Sequence, residues 1–247
     1  MPGRMFLQTP GPTNIPDDIL SAMHRPAEDF STPEFIAMLR EETEKTGALL
    51  IFDEVMTSRL SPGGLHGAWN VKPDLVTFGK YLGGGLTFGA FGGTEKVMAR
   101  FDPRRPDALA HAGTFNNNVP TLSAAIAGLE QVYTPEAANA LNAAGDALRG
   151  RLNGVLKDAG VAGQVTGIGS MMMVHMTPEA LTSPEDSGKV ANALRGLMHL
   201  ALMERGYYVA RRNMIVLSLP MTSAETDGLV AAFKDAVDQH ASVLPRV

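Results

Sequence analysis

The chain has 247 residues, of which 45% are hydrophobic and 19% charged, as in a globular protein with one large or two small domains. Its mild formal net charge of −5 and the absence of a basic cluster argue against nucleic-acid binding. With no cysteines there are no disulfides or thiolate metal sites, which fits a reducing cytoplasm, and no apolar run predicts a membrane-spanning helix.

Residues 1–46 are predicted to form an N-terminal arm and a helix. Prolines and glycines crowd residues 6–16, which favours an extended arm. The pair Thr32 and Pro33 is typical of a helix start, because a hydroxyl N-cap precedes a proline at the first helical position.

Residues 47–160 are predicted to form a large α/β domain. Ala48–Phe52 is a continuous apolar strand of the kind that is buried in a parallel sheet, and strands at 75–78 and 86–91 follow it. Apolar residues at helical spacing then predict helices over 118–133 and 135–159.

Residues 161–247 are predicted to form a small α+β domain. The glycines between 160 and 169 interrupt the helical pattern before it. The apolar pattern indicates strands at 170–176, 207–210 and 215–219, and helices at 188–205 and 224–241.

One acid and one lysine follow successive strands of the large domain. Asp53 comes directly after the strand at 48–52, and Lys80 follows the strand at 75–78 and precedes three glycines, Gly83–Gly85. A lysine amine can form a Schiff base with the aldehyde of pyridoxal 5′-phosphate (PLP), and an aspartate can pair with the ring nitrogen. Alone, each residue is more often a surface charge or a cap. Together they predict a PLP site.

The motifs around these residues resemble a known family. From about Gly47 to the C-terminus the chain is similar to the second half of a class III aminotransferase, nearest the subgroup around glutamate-1-semialdehyde aminomutase. The matching segments are Ile51–Val55, Pro73–Asp74, Phe78–Lys80, Gly83–Gly85, Gly89–Gly93 and Ala112–Asn116. Residues 1–40 resemble instead the N-terminus of class V alanine–glyoxylate aminotransferases. The matching segments there are Phe6–Pro16, Ala22–Pro26 and Ser31–Phe35.

The resemblance implies an abbreviated fold type I architecture, with a mostly parallel sheet and a small C-terminal α+β domain. The first half of the large domain, with its phosphate-binding turn and ring-stacking aromatic residue, is expected to be missing. Lys80 would carry the cofactor and Asp53 would bind its ring nitrogen. Val55 would pack on the ring, and Glu54 would bind the cofactor in a supporting, hydrogen-bonding role.

The resemblance also implies roles for residues distant in sequence. Thr114 would bind the cofactor phosphate across the interface of a homodimer. Arg211 or Arg212 would bind the substrate carboxylate; the sequence does not choose between them. Thr9 and Gly11, in the N-terminal arm, would line the substrate pocket.

The predicted function is that of a PLP-dependent aminotransferase, which moves an amino group from an α- or β-amino acid donor to a keto acid acceptor. Racemase, aminomutase and decarboxylase chemistry remain alternatives on the same scaffold. So do a catalytically weak PLP-binding protein and a structural remnant without cofactor. The histidines show no metal-ligand spacing, and no metal is predicted.

Overall fold

The computed structural model of the chain describes residues 33–114, 116–181, 186 and 190–247. The predicted arm, with Thr9 and Gly11, lies outside the described residues. The predicted helix start at Pro33 is confirmed, since helix α1 spans Pro33–Thr46. Arg40 of α1 contacts Asp74 across an Nη1–Oδ2 distance of 2.8 Å, and the same carboxylate oxygen accepts a hydrogen bond from Leu50 N.

The first sheet has three strands in the order β1-β2-β3, namely β1 (Ile51–Asp53), β2 (Leu75–Gly79) and β3 (Gly89–Gly93). Strands β1 and β2 are parallel, whereas β2 and β3 are antiparallel. The α/β class is confirmed, but the expectation of a mostly parallel sheet does not hold for β3. Its connection to β2 is too short for the crossover of about a dozen or more residues that a parallel pair needs.

Short helices connect these strands. Between β1 and β2 lie a 3₁₀ helix, Thr57–Leu60, and helix α2, Gly64–Ala68. A 3₁₀ helix, Lys80–Gly83, begins directly after β2. After β3 come helix α3 (Glu95–Met98) and a 3₁₀ turn at Ala99–Phe101. Ile36, Leu50 and Val71 form a small buried core under α1.

The long helical region follows the prediction closely. Helix α4 spans Val119–Ala127 and continues into a π-helical turn at Gly128–Val132, and helix α5 spans Pro135–Asp158. Asn118 caps α4 through a 3.2 Å hydrogen bond from Thr121 N to its Oδ1, and Thr134 caps α5 in the same way.

The second sheet is antiparallel, with strands β4 (Gln164–Ile168), β5 (Met171–His175) and β6 (Met214–Val216) in that order. Helix α5 packs on it and against α7 (Ser223–Gln239), which in turn packs against α6 (Asn192–Glu204). The fully buried side chains of this core include Leu148, Leu152, Met198, Leu202 and Phe233. This is the main core of the described residues.

Two predictions in this region were wrong, one of a break and one of a strand. Strand β4 lies where the glycines indicated a break. One of them, Gly169, approaches α5 so closely that a Cβ on Gly145 would lie 2.1 Å from its carbonyl oxygen. The predicted strand at 207–210 is unpaired; the carbonyl oxygen of Val209 instead contacts His199 Nδ1 at 3.0 Å.

Among the residues that the structure describes, no helix combines the length and apolarity needed to cross a membrane. Within the same ranges, His, Asp and Glu side chains form no group of three that could hold a metal ion. The predicted domain boundary at residues 160 and 161 falls between α5 and β4 and stays a prediction.

Candidate active site

Asp53 and Lys80 lie at the carboxyl ends of two neighbouring parallel strands. Asp53 is the last residue of β1 and pairs in register with Thr77 of β2, and Lys80 follows β2 directly. The Oδ1 atom of Asp53 accepts hydrogen bonds from Val55 N at 3.0 Å and from Thr77 Oγ1 at 3.1 Å. Both strands therefore fix this carboxylate, while within the described residues its Oδ2 atom has no hydrogen bond.

Lys80 adopts a left-handed backbone conformation, with φ of 54°, which is uncommon for a residue other than glycine. Such conformations cluster at functional sites, where the surrounding structure imposes them. The side chain is exposed and, in the described part of the chain, makes no hydrogen bond or ion pair. Its primary amine is thus open to reaction with a ligand.

The glycines after Lys80 allow close packing of the chain. A Cβ on Gly83 would lie 2.6 Å from the Cβ of Phe88, and one on Gly84 would lie 2.8 Å from the Cβ of Ala124. Gly84 also has a φ of 60°, in the left-handed region. Gly84 therefore seats the segment after Lys80 against α4, and Gly83 seats it against Phe88 before β3, which together fix the base of the lysine.

Val55 packs beside the lysine. A Cβ on Gly79 would lie 3.5 Å from Val55 Cγ1, so the valine side chain covers the backbone immediately before Lys80. The structure thus brings together three of the predicted residues, Asp53, Val55 and Lys80, at one end of the sheet.

Glu54 occupies a different position from its two neighbours. Its side chain is buried, and its carboxylate accepts hydrogen bonds from Leu65 N, His66 N and Thr57 Oγ1 at 2.7–3.0 Å. The ring Nδ1 of His66 lies 2.8 Å from the same carboxylate. Glu54 therefore fastens the 3₁₀ helix and α2 to the end of β1, and its predicted supporting role in cofactor binding stays a prediction.

These hydrogen bonds hold the pKa of Glu54 below its ordinary value of 4.5. Burial acts in the opposite direction and is the largest single effect, but the N–H groups of His66 and Leu65, the His66 ring and Thr57 together outweigh it. Because the folded-state pKa is lowered, the stabilisation is complete above pH 4.5 and is lost as the pH falls through the folded-state value.

We therefore expect Glu54→Gln to lower the free energy of unfolding at neutral pH by about 2 kcal/mol, because a neutral amide accepts weaker hydrogen bonds than a carboxylate. The deficit should shrink as the pH falls below 4.5 and through the lowered folded-state pKa of Glu54, where the wild-type carboxylate becomes protonated. Chemical denaturation of the wild type and Glu54→Gln at neutral pH and below pH 4.5 measures this deficit. Glu130→Gln, at an exposed glutamate, is the matched control. A deficit that does not change with pH would contradict the charge argument.

Thr114 lies in an exposed turn ahead of α4, next to a 3.0 Å hydrogen bond from Asn116 N to Gly113 O. Its side chain makes no hydrogen bond within the described residues, so its hydroxyl is available to a ligand. Its predicted phosphate-binding role across a dimer interface stays a prediction.

Arg211 and Arg212 are exposed in the turn before β6. Arg212 Nη2 lies 3.0 Å from Met214 Sδ, and the guanidinium of Arg211 lies beside Gly196 of α6. The opposite end of β6 faces the β1–β2 connection, because Arg59 Nη2 donates to Leu217 O at 2.5 Å. Across the described ranges, no hydrogen bond joins either arginine to Asp53 or Lys80.

The structure also reveals side chains near Lys80 that the sequence did not single out as functional. Tyr81 and Tyr133 meet edge to face at a centroid distance of 5.0 Å, and the Tyr133 hydroxyl donates to the carbonyl oxygen of Arg59. The position of Tyr81 after Lys80 was the one signal in the sequence. Tyr133 is brought to Tyr81, and Arg59 to Tyr133, by folding alone.

Comparison with known proteins places this geometry in a family. The family model of class III aminotransferases matches residues 29–237. The chain belongs to this family. The match confirms the predicted resemblance and the PLP-dependent fold type I class, and it includes residues 29–40, which the sequence alone compared with class V enzymes.

Individual relatives agree with this assignment. The chain is 50% identical to the beta-phenylalanine transaminase of Variovorax paradoxus over 214 residues, which are 87% of this chain and 49% of the relative. It is 35% identical to the glutamate-1-semialdehyde 2,1-aminomutase of Methanopyrus kandleri, over 83% of this chain and 48% of the relative. The crystal structure of a beta-phenylalanine aminotransferase from V. paradoxus, also 50% identical, superposes with a TM-score of 0.84 over 87% of this chain and 50% of that one. The chain thus spans about half the length of these relatives.

Proposed function

We propose that the chain acts as a PLP-dependent aminotransferase, which moves an amino group between an α- or β-amino acid and a keto acid. The observation that carries this proposal is the pair formed by a fixed carboxylate at Asp53 and an open amine at Lys80, on adjacent parallel strand ends. When bound, PLP supplies an electron sink for the substrate carbanion.

The residues present fit this cofactor. The Oδ2 atom of Asp53 is available to accept a hydrogen bond from a protonated ring nitrogen, and Oδ1 is held in place by Val55 N and Thr77 Oγ1. The Lys80 amine is available for a covalent bond to the aldehyde carbon. Val55 offers an apolar surface for one face of the ring, and Glu54 holds the adjoining loop.

In the proposed reaction Lys80 has a second role. Its amine would also hold and move the proton of the substrate carbon that bears the amino group, Cα in an α-amino acid or Cβ in a β-amino acid. Arg211 or Arg212 would bind the substrate carboxylate through a planar, bidentate guanidinium contact. Thr9 and Gly11 would line the same pocket.

Aminomutase chemistry is the second candidate, favoured by the 35% identical glutamate-1-semialdehyde 2,1-aminomutase. Product analysis separates the two. The purified protein is supplied with PLP and β-phenylalanine, with and without a keto acid acceptor. An aminotransferase turns over repeatedly only when the acceptor is present and without it forms at most one equivalent of keto product per PLP, whereas an aminomutase or racemase converts a single substrate and a decarboxylase releases carbon dioxide. Cofactor binding without any product would indicate a catalytically weak PLP-binding protein.

We further propose that the chain forms a homodimer in the cytoplasm, a location compatible with the absence of cysteines. Supporting the dimer, α4 and the π-helical turn present exposed apolar side chains at helical spacing, Val119, Leu122, Ile126 and Leu129. This stripe begins a few residues after Thr114.

We expect Ile126→Asp to shift the protein from dimer to monomer, because it places a charge in the middle of the apolar stripe. Light scattering coupled to size-exclusion chromatography measures the mass. Leu200→Asp is the matched control, since Leu200 of α6 is 54% exposed and Ile126 is 57% exposed. A dimer that persists in Ile126→Asp, or a monomeric wild type, would contradict the proposed interface.

A further inference from the structure

A cavity distinct from the Asp53–Lys80 site lies beside the segment that follows Lys80. It has a volume of about 490 Å³, within the range of small-molecule sites. The 3₁₀ helix after β2, the α4 region and the residues after β6 enclose it. Its lining includes Arg59, Tyr81, Leu129, Val132, Tyr133 and Leu219, and none of Asp53, Val55 or Lys80.

Arg59 carries the one charge in the described lining of this cavity, and its position is fixed at both ends. Its Nη2 atom donates to Leu217 O, and its carbonyl oxygen accepts hydrogen bonds from the Tyr133 hydroxyl and from Asn142 Nδ2. Its Nε atom is buried and, among the described residues, has no hydrogen-bond acceptor. Because that atom is closed to solvent, a ligand in the cavity meets the rest of the Arg59 side chain, whose positive charge favours an anion.

The other walls are mainly apolar. Leu82, Leu129, Val132 and Leu219 contribute hydrocarbon, and the rings of Tyr81 and Tyr133 stand edge to face. Burial raises the pKa of both phenols, so neither competes with a ligand by carrying a negative charge at neutral pH. One positive donor in an apolar enclosure matches a molecule with a single carboxylate and a hydrocarbon or aromatic body.

We propose that this cavity is a binding site for small apolar monocarboxylates, separate from the Asp53–Lys80 site. The ligand carboxylate pairs with the guanidinium of Arg59, and its apolar body contacts the leucines and the two tyrosine rings. The proposal does not depend on aminotransferase activity.

The test uses 3-phenylpropionate as the probe and isothermal titration calorimetry of the purified chain. We expect saturable binding to the wild type, and binding about tenfold or more weaker for the neutral 3-phenylpropanamide. Arg59→Gln should weaken binding of the carboxylate by a similar factor. Ala127→Phe, which fills the cavity from α4 and leaves Arg59 in place, should abolish it. Arg104→Gln removes an exposed arginine charge elsewhere and should bind as the wild type does.

Two further measurements distinguish loss of the cavity from loss of folding, and binding in the cavity from binding at Lys80. Thermal melting followed by circular dichroism checks that each variant is folded, so a loss of binding by a folded Ala127→Phe variant supports the cavity. Protein reacted with PLP and then reduced with borohydride has its Lys80 site blocked, and it should still bind the probe with unchanged affinity. No binding by the wild type, equal binding of the amide, unchanged binding by Ala127→Phe, or loss of binding after reduction would each overturn the proposal.

Discussion

Replacement of Lys80 by alanine is expected to abolish both covalent retention of PLP and turnover. The structure gives Lys80 a left-handed backbone, a base seated by packed glycines and an exposed amine that is open to a ligand. Alanine removes the amine nucleophile at this strand end, so no covalent bond to the aldehyde can form there. The direct measurement is borohydride reduction with PLP, followed by mass spectrometry of the peptide that contains residue 80.

A matched control makes this result specific. Lys72 is also exposed and lies just before β2, whereas Lys80 lies just after it. Lys72→Ala should retain the reduced pyridoxyl adduct at Lys80 and the wild-type turnover. Lys80→Arg keeps the positive charge but lacks a nucleophilic amine, so it should lose the adduct as Lys80→Ala does. An adduct of wild-type yield in Lys80→Ala, on whichever lysine, would refute the assignment.

The pair at the centre of the site could be predicted from sequence because its signals are local. Continuous apolar runs precede Asp53 and Lys80, and such runs indicate buried strands whose ends meet at one edge of a sheet. The parallel register of β1 and β2 then places the two side chains at the same edge. The same reasoning could not separate Asp53 from Glu54 by pattern alone. The family resemblance favoured Asp53, and the structure shows that Glu54 is buried and accepts hydrogen bonds from the N–H groups of Leu65 and His66.

Features that depend on contacts distant in sequence were harder to predict. Strand β4 was missed because the glycines in and around it indicated a break in the pattern. Gly169, directly after β4, instead lies where α5 approaches closely at Gly145. The strand predicted at 207–210 was wrong, because an apolar pattern cannot show that Val209 O contacts His199. Arg59 gave no signal at all, since its partner Leu217 is far away in the chain.

The exposed surface of the first sheet has a physical consequence. Strand β1 has a partner on one side only within the described residues, and Leu49 and Ile51 are each 54% exposed. Continuous apolar segments such as the one that contains β1 are normally buried in α/β sheets, and an open apolar edge favours association. Since the chain spans about half the length of its relatives, measurements of cofactor binding are more direct tests of the site than turnover alone.

Asp53→Asn is expected to leave the fold intact and to lower turnover by about two orders of magnitude or more. Asparagine keeps an oxygen that can accept the hydrogen bonds from Val55 N and Thr77 Oγ1, so the end of β1 should stay in place. Its second atom, however, is an NH₂ donor, which would face the ring nitrogen where the wild type has a carboxylate oxygen. The protonated ring loses its counter-charge, and the cofactor's capacity to stabilise a carbanion falls with it.

Three measurements on Asp53→Asn separate these effects. The melting temperature should match that of the wild type, PLP affinity by equilibrium dialysis should fall, and steady-state turnover with an amino donor and a keto acid should fall further. Thr77→Val is the control: it removes one hydrogen bond to the carboxylate but keeps the charge, so it should cost much less turnover than Asp53→Asn. Near-native turnover in Asp53→Asn would show that the Asp53 carboxylate does not bind the ring nitrogen. The adjacent acid, Glu54, could not take its place, because the Glu54 carboxylate is already held by Leu65, His66 and Thr57.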